Sequence, residues 1–176
     1  GLTMGLVGYG AIGQEVARLG RAFGMKILVH TRTAGEEPDT QFVDCDTLFR
    51  ESDVVSLHCP LTDENQGFIN AKLLGQMKPT AFLINTARGP LVDQKALTHA
   101  LETDQIAGAA LDVFESEPPD PEDPIVRLPN AICFPHIGSA TVETRRAMRE
   151  LAVQNTLDVL AGKRPPAPVN PEVLGI

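Results

Sequence analysis

Short apolar runs alternate along this chain with segments whose apolar residues recur at three- and four-residue intervals. The runs at 3–7, 26–30, 54–58, 81–85, 106–112 and 131–134 read as strands. Helical spacing fills most of the gaps, over 11–23, 44–50, 71–77, 93–101 and 141–160. The strands are continuously apolar rather than alternating, as burial on both faces requires. Strand–helix alternation of this kind predicts a doubly wound α/β fold, a parallel sheet with helices on both faces in three layers. Residues 1–176 read as a single domain of the dinucleotide-binding Rossmann type: a core at about 3–140, a C-terminal helix at about 141–161 and an extended tail at 163–176. The stretch 116–129 is proline-rich and acidic and reads as a surface loop, not a linker. The last helix carries two apolar stripes, one with Met148, Leu151, Ala152 and Val159, the other with Val153, Leu157 and Leu160. A surface helix of a closed monomer needs one. A further domain, a second subunit or a wide core stripe would each account for two.

The polar punctuation falls directly after the strands, where open α/β sheets bind their ligands. The sharpest case is Gly8-Tyr9-Gly10-Ala11-Ile12-Gly13, between the first strand and the first helix. Gly8 permits a tight turn, Gly10 lets the backbone approach a pyrophosphate, and Gly13 lets the helix pack closely on the strand. The free N–H groups and positive dipole end of the helix then face the phosphates. A purely structural glycine turn has the same pattern, but the strand before and the amphipathic helix after favour a dinucleotide.

Composition narrows the classes. The chain has 176 residues, 43% hydrophobic and 22% charged, the mix of a globular protein, with a net charge of −8. Basic residues cluster no further than pairs such as Arg145-Arg146, so no nucleic-acid partner is expected. An anionic ligand has to be held by local donors against the overall field. Cys45, Cys59 and Cys133 are widely spaced and odd in number, which argues against disulfides and zinc and fits a reducing cytoplasm. No membrane span or signal peptide is visible. The chain opens Gly1-Leu2-Thr3 without an initiator methionine and reads as a piece of a larger protein.

Five stretches, V-G-Y-G-A-I-G-Q-E-V-A, H-C-P-L-T, I-N-T-A-R-G-P-L-V-D, A-L-D-V-F-E-S-E-P and P-H-I-G-S-A, resemble the D-isomer-specific 2-hydroxyacid dehydrogenases in order and interval over about residues 3–165. The resemblance implies an NAD(P)-dependent oxidoreductase acting on a small 2-keto or 2-hydroxy acid, without a metal, and a homodimer. It also implies that the N-terminal half of the family's substrate domain is absent from this chain. Arg88, otherwise a loop arginine, would clamp the substrate carboxylate. His136 would be the general acid/base, a role that suits imidazole near neutral pH. Glu117, otherwise a solvated charge, would pair with His136, raise its basicity and fix its tautomer. Asp112, otherwise a helix cap, would meet the carboxamide side of the nicotinamide.

Cofactor contacts are implied at Gly8, Gly10, Ala11, Ile12, Gly13, Thr31, Arg32, Cys59, Pro60, Asn65, Thr86, Ala87, Asp112, His136 and Gly138. Cys59 is expected to be a packing residue lining the adenosine side, and Asn65 stands where a hydroxyl residue is common. His30 and His99 are read as structural. NAD sites place an acid about 20 residues beyond the glycines to bond the ribose 2′-hydroxyl. Here Thr31 takes that place and Arg32 follows, so NADP(H) is expected in preference to NAD(H), with Glu36 and Glu37 opposing the preference. The same two residues suggest the glyoxylate/hydroxypyruvate reductase branch. Formate dehydrogenases, with glutamine at the position of Glu117, fit less well. A non-catalytic, dimeric NAD(P)-sensing module is the rival function, opposed by the retention of Arg88, Glu117 and His136.

Overall fold

The computed structural model describes residues 1–33 and 35–173. Among them, seven strands form one sheet: β1 (Thr3–Val7), β2 (Lys26–His30), β3 (Thr40–Phe42), β4 (Val54–Leu57), β5 (Phe82–Asn85), β6 (Gly108–Leu111) and β7 (Ala131–Cys133). Their order is β3-β2-β1-β4-β5-β6-β7, and every neighbouring pair is parallel. Chain order therefore runs outward in opposite directions from the β1–β4 pair. That pair is the switch point at which such sheets open a crevice beyond their strand ends.

The helices are α1 (Ala11–Ala22), α2 (Cys45–Glu51), α3 (Ala71–Leu74), α4 (Gln94–Glu102) and α5 (Val142–Leu160). Alternation along the strands divides the core. Leu6, Ile27 and Val29 pack with Ala17 of α1 on one face. Val7, Leu28, Val55, Leu57 and Leu83 pack with Leu48, Phe49, Leu74, Leu97 and Leu101 of α2, α3 and α4 on the other. Contacts divide the chain into a unit Gly1–His136, which holds the sheet, and a second that begins at Ile137. In the second, no residue of α5 is buried.

Six strands lie where apolar runs place them, β1 and β2 with the expected ends and the other four one or two residues shorter at an end. The seventh, β3, was not expected. Its three residues, Thr40-Gln41-Phe42, follow the acidic stretch Glu36–Asp39 and offer no apolar run, because an edge strand is buried on few sides. The helix expected over 71–77 stops at Leu74. Gln76 and Met77 instead donate to carbonyls three residues back, and Pro79 bars further helix.

Candidate functional site

The glycine turn joins β1 to α1. Gly8 adopts φ +97°, and a Cβ there would lie 2.7 Å from backbone atoms of His58 and Cys59. A Cβ on Gly13 would lie 2.5 Å from the Gly8 carbonyl oxygen. These two glycines are required by the chain's own packing. Gly10 differs: a Cβ there would meet nothing within 4 Å, so the chain's own packing does not demand its smallness. Gly10 is also the N-cap of α1, makes no side-chain cap, and is followed by no acidic residue in the first turn. The opening N–H groups of α1 therefore face no competing carboxylate, which suits an anion.

Beside this turn lies a cavity of about 420 Å³ lined by Gly8, Tyr9 and Gly10, by His30, Thr31 and Arg32, and by His58, Cys59, Pro60, Thr62, Glu64 and Asn65, with Val7 and Phe68. Seven of the residues expected to meet a cofactor thus share one wall or another of it: Gly8, Gly10, Thr31, Arg32, Cys59, Pro60 and Asn65. Ala11, Ile12 and Gly13 form the adjoining first turn of α1, with Ile12 exposed. Asn65, besides lining the cavity, bonds within its own loop. Its amide donates to the Pro60 carbonyl at 2.8 Å and accepts from Thr62 N–H at 2.7 Å, which holds the lining loop in shape. Burial pushes the Cys59 thiol above its ordinary range, with Arg32 pulling the other way; this suits a packing role rather than a nucleophile. Burial likewise lowers the pKa of His58, a neutral wall residue whose Nε2 lies 2.9 Å from Ser56 Oγ. His30, through Nδ1, meets the Val43 carbonyl at 3.2 Å, and His99 is exposed on α4. Glu36 and Glu37 line a separate depression with Thr40 and Phe42. Glu64, a lining carboxylate, was not anticipated, since nothing around it in sequence marks a ligand.

A second group forms at the same edge of the sheet, beyond β5, β6 and β7. His136 follows β7 with φ +53°, and its Nδ1 lies 2.6 Å from Glu117 Oε2. The other oxygen of Glu117 accepts from the Phe114 N–H at 3.2 Å. Hydrogen bonding to His136, with help from Phe114 N–H and the nearby charge of Arg88, holds the Glu117 carboxyl below its ordinary value. An ionised Glu117 only accepts, so Nδ1 of His136 carries the donated proton and Nε2 is the nitrogen left to exchange one. Asp112, 6% exposed, directly follows β6, where its N–H donates to the Asn85 carbonyl at 3.0 Å. Thr86 and Ala87 lie in the turn after β5. Gly138 falls in the second unit.

Two residues that shape this group were missed. Asn85, 1% exposed, donates to the Arg88 carbonyl at 2.9 Å and accepts from Ala87 N–H at 3.0 Å, so a buried amide folds the turn that presents Arg88. A polar residue closing the otherwise apolar Phe82–Asn85 strand was the available signal. Gly89 touches the next loop so closely that a Cβ would sit 1.8 Å from the Phe114 carbonyl oxygen. That contact locks the Arg88 turn against the start of the loop bearing Glu117. The guanidinium of Arg88 is exposed, with one nitrogen donating to the Ala87 carbonyl at 2.6 Å. The fork's other donors stay available for a carboxylate.

Among the described residues no cluster of His, Cys, Asp or Glu could hold a metal ion, and no helix is long and apolar enough to cross a membrane. Residues 1–138 match a family model described as D-isomer specific 2-hydroxyacid dehydrogenase, NAD binding domain. A glyoxylate reductase from Thermofilum pendens is 50% identical over 181 residues, an alignment that covers 100% of this chain and 53% of that protein. A solved structure from Thermus thermophilus superposes with a TM-score of 0.93 at 51% identity, covering 96% of this chain and 54% of the other. The NADPH-dependent glyoxylate/hydroxypyruvate reductase of Sinorhizobium meliloti, solved with NADP and malonate, gives 0.91 at 39% identity, over 97% of this chain and 54% of that one. The chain thus spans about half the length of the relatives it matches.

Proposed function

We propose that this chain, which belongs to the D-isomer specific 2-hydroxyacid dehydrogenase family, is the cofactor-binding part of an enzyme that interconverts small 2-keto acids and D-2-hydroxy acids. The observation that carries the reading is the Glu117–His136 pair, 2.6 Å apart and within electrostatic reach of Arg88, on the sheet edge that also bears the glycine turn. A sensor without catalysis has no use for a guanidinium beside a carboxylate–imidazole pair. When bound, the nicotinamide dinucleotide supplies or accepts the hydride. Gly8, Gly10 and the N-terminus of α1 hold its pyrophosphate. Arg88 binds the substrate carboxylate and orients the keto group. His136 delivers a proton from Nε2 to the developing alkoxide, or removes it in the reverse direction, while Glu117 holds the imidazole in the productive tautomer.

Thr31 and Arg32 favour NADP(H) over NAD(H). Both line the cavity beside the glycine turn, where Thr31 adds no carboxylate and Arg32 offers a partner for a 2′-phosphate. Glu36 and Glu37, placed in a separate depression, oppose this less than their sequence position suggests. Against it stands Glu64 in the same cavity, which is outweighed if the arginine alone reaches the phosphate. The likeness to an NADPH-dependent glyoxylate/hydroxypyruvate reductase points to the same cofactor and to glyoxylate or hydroxypyruvate as substrate. The enzyme is a cytoplasmic homodimer in this reading.

The test is steady-state reduction of glyoxylate, hydroxypyruvate and pyruvate by the full-length enzyme with either reduced cofactor. Reduction is expected for at least one acid, with kcat/KM about tenfold higher for NADPH, an advantage worth about 1.4 kcal/mol. No reduction with either cofactor refutes the activity, and equal or better use of NADH refutes the preference. Gly10→Val separates binding from folding. Its side chain enters open space within the chain, so the melting temperature stays near that of wild type. The same side chain stands where a pyrophosphate must approach, so calorimetry on the chain is expected to show NADPH affinity reduced about a hundredfold or more, the loss of roughly 3 kcal/mol of phosphate contacts.

A further inference from the structure

We propose that Gln94 is a positioning residue for the Glu117–His136 pair, acting by fastening both ends of the loop that carries Glu117. It depends on the function proposed above only for what the pair is used for.

Gln94 is the first residue of α4, set behind the N-cap Asp93, and half-buried. Its Oε1 accepts from the Glu115 N–H at 3.0 Å, and its Nε2 donates to Asp123 Oδ2 at 2.7 Å. Asp123 uses its other oxygen to accept from the Ile125 N–H at 3.1 Å, where the loop re-enters the core through fully buried Ile125. One side-chain amide therefore spans the loop from its departure at Glu115 to its return at Asp123.

The loop needs such a fastening. Glu115, Ser116, Glu117 and Pro118 are all exposed, and Glu115, Glu117, Asp120, Glu122 and Asp123 place five carboxylates within nine residues. Mutual repulsion favours an extended, mobile loop, whereas Glu117 has to hold one position against His136. Consecutive amides fix the departure: Phe114 N–H goes to Glu117 itself and Glu115 N–H to Gln94. On the opposite side, Gly89 abuts the Phe114 carbonyl, so the loop leaves the sheet clamped between the Arg88 turn and Gln94. The residue type matters. A neutral amide accepts from an N–H and donates to a carboxylate at once, which neither a carboxylate nor an ammonium does.

Carboxyl-carbon NMR titration of Glu117 in this chain tests the assignment. In wild type, Glu117 titrates below the ordinary glutamate value because His136 is held against it. Gln94→Ala is expected to move that midpoint up toward the ordinary value, and Gln94→Glu, which sets a carboxylate against Asp123, to do the same. Gln94→Glu combined with Asp123→Asn keeps an acceptor for Glu115 N–H and restores a donor–acceptor pair across the loop with charge conserved. It should return Glu117 to its wild-type titration. In the full-length enzyme, Gln94→Ala is expected to lower kcat about tenfold with KM for NADPH unchanged, and the double variant to recover it. A Glu117 titration unmoved by Gln94→Ala, or a folded double variant that fails to restore it, overturns the proposal. Both titration results stand even where the full-length enzyme reduces no 2-keto acid, so the two readings fail separately.

Discussion

Exchange of His136 for Gln is expected to lower kcat/KM of the full-length enzyme for its keto acid by about a hundredfold to ten-thousandfold, the usual contribution of a placed general acid. Glutamine keeps a donor that can reach Glu117 but has no nitrogen that exchanges a proton near neutral pH. The lesion is therefore chemical rather than structural, and NADPH affinity measured by calorimetry should change less than about twofold. Full turnover in this variant removes His136 from the proton path. Glu117→Gln should be gentler in rate but visible in the pH dependence of stability. The fold lowers the pKa of Glu117 from the ordinary 4.5. Stability gained from ionised Glu117 is thus fully present above that value and is lost as pH falls through the lower folded one. The pair is partly exposed, which keeps the gain small. Melting temperatures of wild type and Glu117→Gln should differ slightly at neutral pH and converge in acid; a gap that widens in acid contradicts the assignment.

Removal of the Arg88 guanidinium is the second large effect. Arg88→Ala is expected to reduce kcat/KM for the keto acid by about a hundredfold or more, which corresponds to the roughly 3 kcal/mol of a charge-assisted, two-pronged bond to a carboxylate. Arg88→Lys keeps the charge but loses the planar fork, and should recover only part of the loss. The backbone of this turn is held by Asn85 and by the close approach of Gly89 to Phe114, not by the guanidinium. The variant should therefore fold normally and bind NADPH as before. Steady-state kinetics across a range of keto acids, with calorimetry for the cofactor, reads both halves of the expectation. An unchanged KM and kcat for every acid would show that the carboxylate is held elsewhere.

Strands packed deep in the sheet announce themselves in sequence because burial on both faces demands apolar runs, as in Ile27-Leu28-Val29 within β2, all buried. β3 left no such trace, since an edge position asks for backbone pairing more than for apolar side chains. At the site, the glycine turn was legible because three glycines at fixed spacing answer three steric demands, two of them made by the chain itself. The Glu117–His136 pair was not legible from the residues alone. They stand nineteen positions apart, one in an acidic loop and the other after a strand, and only resemblance to a family joined them. Asn85 and Gln94 were harder still. Asn85 bonds back to its own turn and Gln94 reaches a loop 21 residues further on, and neither kind of bond has a counterpart in composition or periodicity. Glu64, which lines the cavity beside Asn65, left no such trace either.

One dinucleotide is expected to run along the C-terminal edge of the sheet, from the glycine turn and Arg32 to the neighbourhood of Arg88, Asp112 and His136. Amide NMR spectra of the chain titrated with NADPH follow its whole length at once. Saturable shifts are expected at Gly8 to Gly13, Thr31, Arg32 and Cys59, and at Ala87, Asp112 and His136. Shifts concentrated instead around Glu36 to Phe42, or along Val142–Leu160, would contradict this placement.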